Sequence, residues 1–275
     1  MAENEDVLNN PLIEIKDIIL EESKIGSFAQ SMRSFSSSYY ALRNLWSRDM
    51  WRVFESIQKV WTDYKALEQY TIAIHTKFFD RILTRLIAFM ALIDESVLVK
   101  QGLLLYFIGL QMEQAMMTIA KFRSLVIVQY EEDLEYDILE SLLNSHESLN
   151  IYRYSYRSYL SLENVLSLIL FDKEYTRSLA YQINRLKKDI NMLPVRSSDD
   201  LTVCKKTIME ASIKIQNISI NDLASVDQNV KMRLNLEELL SELSELLHAT
   251  SLSISDTYFN HSYRQKQLVH QNITE

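Results

Sequence analysis

Apolar residues recur three and four positions apart along almost the whole chain, the spacing of amphipathic helices. Pro11 suits a first helical turn, where its missing N–H needs no partner, and Leu12, Ile15, Ile18 and Ile19 form one stripe to about Glu22. Ser23 to Ser27, with Gly26, interrupts it. Phe28, Met32, Phe35, Tyr39 and Leu42 mark a helix over 28–44. Ser47 followed by Asp49 starts another that reaches about Tyr70, with Met50, Phe54, Ile57 and Trp61 inward. From His75 to Ser96 the stripe of Phe78, Ile82, Leu86 and Phe89 is joined by Leu83, Ile87, Met90, Ala91 and Leu92 on other faces, which predicts a central, largely buried helix. Gly102 to Glu132 is the longest run, and Gly109 within it costs ~1 kcal/mol of helix propensity unless close packing offsets it.

Leu134 to Ser148 makes a further helix, and three more open near Ser148, Ser161 and Thr176–Arg177, the last ending at Pro194. The segment VRSSDD at 195–200 is the most linker-like, followed by a helix from Leu201 to Gln216. Asn217 to Asn229 reads as a loop with short helical turns. Met232 to Tyr258 carries Leu236, Leu239, Leu240, Leu243, Leu246 and Leu247 with glutamates outward, over too few heptads for a coiled coil. GSFAQSMRSF around Ser27 and RSLAYQINRL around Ser178 echo each other, as in an internally duplicated helical unit. The expectation is one all-α, multi-helix bundle over 11–260, with loose termini at 1–10 and 261–275.

Composition agrees with the pattern. Three glycines and two prolines leave few helix breakers, and 47% hydrophobic with 24% charged residues is ordinary for a globular domain. A net charge of −8 repels phosphates on average, so nucleic acid is not an expected partner. Cys204 is the one cysteine, so no internal disulfide and no cysteine-based zinc site can form. An acidic start without a basic-then-apolar leader adds to the expectation of a cytoplasmic protein. The apolar stretches 86–99 and 103–108 are separated by Asp94, Glu95, Lys100 and Gln101, which predicts two buried soluble helices rather than a membrane span.

Two places hold candidate chemistry. Glu113 lies between apolar residues of a long helix, and a carboxylate buried there needs a cation or a hydrogen-bond network. Arg153, Arg157 and Arg177, with Tyr152, Tyr154, Tyr156 and Tyr159, form the densest cation and aromatic cluster. With Arg43 they are candidates for binding an anion or a peptide terminus, because a guanidinium presents a planar fork to carboxylates. The same residues would equally lace a turn to the bundle. His75, His146, His248, His261 and His270 show no HExxH spacing, and no Walker or GxGxxG loop occurs, so neither a metal nor a cofactor is expected.

Four segments carry a family resemblance. Gly26 through Trp51 parallels a run "ARENARxVRDxxSxEMWE" at Arg43, Ser47, Asp49, Met50 and Trp51, and GLQMEQA (109–115) parallels "GRYLERA" at Gly109, Glu113 and Ala115. The stretch 148–186 matches a "YxxYRxxY" run, a helix and a connector ending in Arg177-Ser178, and Ile254 to Phe259 matches a final "ISxxYF". The chain thus resembles the bacterial alpha-E domain family, as a shortened and divergent member. Ser37-Ser38 and Asn44 replace family charges, Leu110 and Gln114 replace arginines, and no "LGRYLERAE" helix precedes Pro11. Family members tend to be encoded beside ATP-grasp peptide-ligase-like and transglutaminase-like proteins. The resemblance therefore implies a non-catalytic accessory partner of such a system. The alternatives are an enzyme acting on peptide or amide substrates through Glu113 and the arginines, or an unrelated helical scaffold.

Overall fold

The computed structural model describes residues 11–96, 100–157, 159–194 and 201–259; the termini expected to be loose and the VRSSDD linker lie outside them. Within them the chain is all-α, and no strand occurs among the described residues. In order come α1 (Pro11–Leu20), α2 (Phe28–Ala41), a 3-10 turn (Arg43–Leu45), α3 (Arg48–Lys65) and α4 (Ile72–Ser96). Then follow α5 (Lys100–Leu125), α6 (Glu132–Ser145), α7 (Leu149–Tyr156), α8 (Leu162–Leu166) running into a π-turn (Ser167–Phe171), and α9 (Leu179–Asn191). The last three are α10 (Thr202–Lys214), α11 (Ile220–Ala224) and α12 (Leu234–Tyr258).

Serines do the punctuation that glycine and proline do elsewhere. Ser27, Ser47, Ser161, Ser178 and Ser219 sit in extended backbone, and each hydroxyl accepts an orphan N–H of the first turn of α2, α3, α8, α9 or α11. Where the backbone must turn left-handed, the chain uses Glu147, Arg157, Leu201 and Lys231, with φ between 51° and 67°, besides Gly26.

Two compact units divide at 103/104. The first holds α1 to α4, and α3 and α4 make its principal helix pair. Its core is aromatic: Tyr39 stacks on Phe54 with ring centroids 3.7 Å apart, Tyr64 stacks on Phe78 at 3.9 Å, and Phe35, Trp61 and Phe89 complete the set. The second unit packs α9 and α12 on either side of α10, around leucines and isoleucines of α6, α8, α9 and α12.

Several boundaries differ from expectation. The long helix ends at Leu125 instead of Glu132, because Val128 and Asp227 both bridge to Met232 and draw the connector beside the start of α12. Asp94 and Glu95 belong to the last turn of α4. The larger departure is α4 itself, expected to be largely buried. Phe78, Ile82, Phe89 and Ile93 are buried, but Phe79, Leu83, Ile87 and Met90 are 40% to 58% exposed on a second face. The 25 residues Gln101–Leu125 of α5 are long and apolar enough, by length and composition, to cross a membrane, and 28% of their most apolar window is buried. Gly109 has no neighbour within 4 Å of a would-be Cβ, so close packing does not account for it.

Candidate functional site

Glu113, expected as a buried carboxylate, is exposed on α5. The heptad-like spacing explains the miss: Met112 and Ala115 face inward while Glu113 and Gln114 between them turn to solvent. The carboxylate that is buried is Asp189, 1% exposed on α9. Its Oδ2 accepts from Arg185 Nε at 3.1 Å and from Gln111 Nε2 at 3.1 Å, tying α9 to α5. In the sequence it sits in KKDIN, where it reads as one more surface charge.

The arginine and tyrosine candidates are largely used inside the second unit. Tyr152 to Tyr156 lie on helix α7. Tyr152 is fully buried; its Oη donates to the Tyr159 carbonyl at 2.9 Å and accepts the Ser161 N–H at 3.1 Å, which fixes the entry to α8. The Tyr156 hydroxyl donates to Ser167 Oγ at 3.1 Å. Arg153 pairs with Glu140 at 3.0 Å, joining α7 to α6. Arg177 donates to the His146 carbonyl at 3.0 Å and pairs with Glu147 at 2.6 Å. Arg157 is exposed at φ 67°, and Arg43 lies in the first unit on the 3-10 turn. Within the second unit, Arg153 and Arg177 are thus engaged in ion pairs.

Arg177 instead helps to close the end of α6. Lys121 Nζ donates to the Ser145 carbonyl at 3.0 Å, so two cations meet the negative end of that helix. Ser148, buried beside them, donates to the His146 carbonyl at 3.0 Å and shares a 2.7 Å hydrogen bond with Tyr175. Burial, then Lys121 and Arg177, push the His146 pKa down to about 4. Burial and then Arg177 also lower the pKa of Lys121.

A concave surface lies elsewhere in the same unit. A groove of about 410 Å³ runs between the start of α6, the start of α8 and the approach to α12. Leu139, Leu160, Leu162, Ala224 and Val226 give it an apolar floor; Tyr130, Tyr136 and Tyr159 supply rings, and Glu132, Glu135 and Glu163 supply carboxylates. Tyr130 and Gln129 also line an adjoining hollow of about 390 Å³ with Lys231. At the back, Arg233 is 3% exposed. It donates to the Val126 carbonyl at 2.6 Å and the Val128 carbonyl at 3.2 Å, and it pairs with Glu135. Glu132 and Glu163 are exposed at the rim, in the first turns of α6 and α8. Ser161 in the wall is occupied as a helix cap, accepting the Asn164 N–H at 3.3 Å.

Two exposed rim carboxylates among tyrosine rings can hold a cationic group by charge and by ring faces. This groove is not visible in the sequence, because Arg233 and its partner Glu135 come from segments 98 residues apart in the chain. Among the described residues, no three of His, Cys, Asp and Glu gather where a metal could be held.

The model of a family described as a predicted alpha-helical domain with a conserved ER motif matches residues 3–259. "Uncharacterized protein Rv2567" of Mycobacterium tuberculosis (strain ATCC 25618 / H37Rv) and "Uncharacterized protein Mb2597" of Mycobacterium bovis are each 23% identical over 248 residues, covering 86% of this chain. The match spans 28% of the length of those relatives. No solved structure matches. The 275 residues contain no Glu-Arg pair; where GLQMEQA parallels "GRYLERA", Glu113 is followed by Gln114.

Proposed function

The chain belongs to the Alpha-E family, and from that premise we propose that it is a non-catalytic interaction module accessory to an ATP-grasp peptide-ligase or transglutaminase-like system. Its groove between α6, α8 and α12 receives a cationic segment of that partner. The observation that carries this reading is how the polar residues are spent. Arg153, Arg177, Tyr152 and Tyr156 are engaged in ties within the second unit, and Glu113 stands exposed on α5, whereas the groove keeps two exposed carboxylates and three tyrosines around an apolar floor. Such a lining recognises a basic side chain and supplies no nucleophile paired with a base.

The partner class is supported by the company that Alpha-E members keep, as the resemblance implies. In the mycobacterial relatives the matching region is a minor part of a longer chain, which suits a module working beside another activity. A reducing, cytoplasmic setting belongs to the proposal. Its support is the single thiol of Cys204, buried so that its pKa rises to about 12.

The test is capture from the native host on immobilised protein, with partners identified by mass spectrometry. The wild-type chain and Glu113→Gln capture an ATP-grasp or transglutaminase-like protein. The combination Glu132→Gln, Glu163→Gln and Tyr136→Ala loses about tenfold or more of that capture, equivalent to roughly 1.4 kcal/mol. Eluates without either protein class, or capture indifferent to the groove changes, would overturn the proposal.

A further inference from the structure

Another concavity lies in the first unit. A hollow of about 220 Å³ opens between the end of α3 and the start of α4. Its floor is apolar, with Val60, Tyr64 and Leu67 from α3 and the connector after it, and Ile74 and Phe78 from α4. Part of that floor is fixed in advance. Tyr64 and Phe78 stack with ring centroids 3.9 Å apart, and the Tyr64 hydroxyl lies 2.5 Å from His75 Nδ1. The tyrosine therefore offers the hollow its ring, while its hydroxyl is engaged.

Three charged side chains complete the lining and select the guest. Lys77 and Arg81 are exposed on α4 at the i,i+4 spacing, which sets side chains about 5–6 Å apart, where like charges repel. Neither forms an ion pair with a described residue, so Asp63 on the α3 side of the hollow leaves both cations unmatched. Two cations and one carboxylate leave one positive charge in excess over an apolar floor. The complement is a single negative charge on an apolar body. An anion lodged between Lys77 and Arg81 relieves their repulsion, and a carboxylate matches the planar fork of the guanidinium. Sites for drug-sized ligands measure about 300–1,000 Å³, so a hollow of about 220 Å³ suits a smaller molecule.

We propose that this hollow binds a small aliphatic monocarboxylate, with its chain on the floor of Val60, Tyr64 and Phe78 and its carboxylate between Lys77 and Arg81. Asp63 stands against the bound anion and holds the affinity down.

Titration of the full chain with octanoate over about 0.1–10 mM, a range that spans millimolar affinity, tests this by two-dimensional amide NMR. Octanoate shifts amides within 60–67 and 74–81 saturably. Acetate, which lacks the apolar body, and octylammonium, which carries the opposite charge, leave them in place. Lys77→Gln with Arg81→Gln weakens octanoate binding about tenfold or more, because two charge-assisted contacts are lost. Its helical circular dichroism is unchanged, since both side chains are exposed. Arg81→Lys keeps the charge and most of the affinity. Asp63→Asn tightens binding several-fold by removing the opposing charge. The groove variants bind octanoate as the wild type does, and Lys77→Gln with Arg81→Gln captures the groove's partner as the wild type does, so this inference and the proposed function fail separately. Shifts that are absent or lie elsewhere overturn the inference, as do an equal response to octylammonium and octanoate binding that survives Lys77→Gln with Arg81→Gln. Weaker binding in Asp63→Asn overturns the charge argument on which it rests.

Discussion

The two units of this chain use opposite materials. The first is filled with rings, Tyr39 on Phe54 and Tyr64 on Phe78, and keeps few long-range polar ties, the 2.5 Å Tyr64–His75 hydrogen bond being a buried one. The second is filled with leucine and isoleucine and is tied across long sequence distances by Arg233, Asp189 and Arg177. Each therefore misleads a reader of the sequence in its own direction. Apolar residues of α4 that look like core are surface, and Arg153, Tyr152 and Tyr156 of α7, which look like chemistry, make ties within the unit. Excess apolar character in the first unit points outward, and in the second the exposed Glu132 and Glu163 stand at the rim of its groove.

The largest expected effect breaks the first unit. Phe54→Ala removes a buried ring stacked on Tyr39 and met at an angle by Phe35 and Tyr40, and costs about 3–5 kcal/mol. Tryptophan fluorescence in a urea titration reports it, since Trp46, Trp51 and Trp61 all lie in that unit. Leu240→Ala, in the aliphatic core of α12, costs about 2–4 kcal/mol by helical circular dichroism. If the leucine cost more than the phenylalanine, the contrast of materials would be wrong.

Next comes Arg233→Met, which strips the Val126 and Val128 carbonyls and Glu135 of their shared donor. About 3 kcal/mol is the expected loss, because a pair broken on one side leaves an uncompensated buried charge. Arg153→Ala, at a half-exposed pair, costs below ~1 kcal/mol. Comparable losses at both sites would show that burial does not rank the polar ties.

A smaller effect follows pH. His146 has its folded pKa depressed to about 4 from an ordinary value near 6.5, so the neutral form is favoured in the folded state. Stability from this group is present in full above about 6.5 and is lost as pH falls toward 4, where the unfolded chain takes up the proton first; roughly 1–2 kcal/mol is at stake after allowance for solvent screening. Urea midpoints at pH 7 and pH 4.5 measure it, and His146→Gln flattens the difference. An equal pH dependence in that variant would remove His146 from the account.

The smallest effect has the opposite sign. Gly109→Ala gains about 1 kcal/mol of helix propensity, since an added Cβ meets nothing. A destabilised variant would mean that something approaches Gly109 closely.

The helices themselves were legible in the sequence. Period, serine caps and the scarcity of glycine gave the elements within a few residues, because these are local causes: Ser47, Ser161 and Ser178 open helices as their hydroxyls dictate. Tertiary placement was not legible. Glu113 is flanked by core residues on α5, yet its own side of the helix faces water. Arg233 precedes a leucine-rich helix like any solvated charge, yet the connector at 126–128 folds over it. The groove shared this obscurity, for its walls come from three separated segments that no single window displays.

Hydrogen exchange of the chain with and without its captured partner tests most directly whether the groove is the binding surface. Protection over 129–136 and 159–163, with 149–157 and 172–178 unchanged, is the predicted result. Protection confined to 149–157 and 172–178 would return function to the arginine and tyrosine stretch and contradict the account.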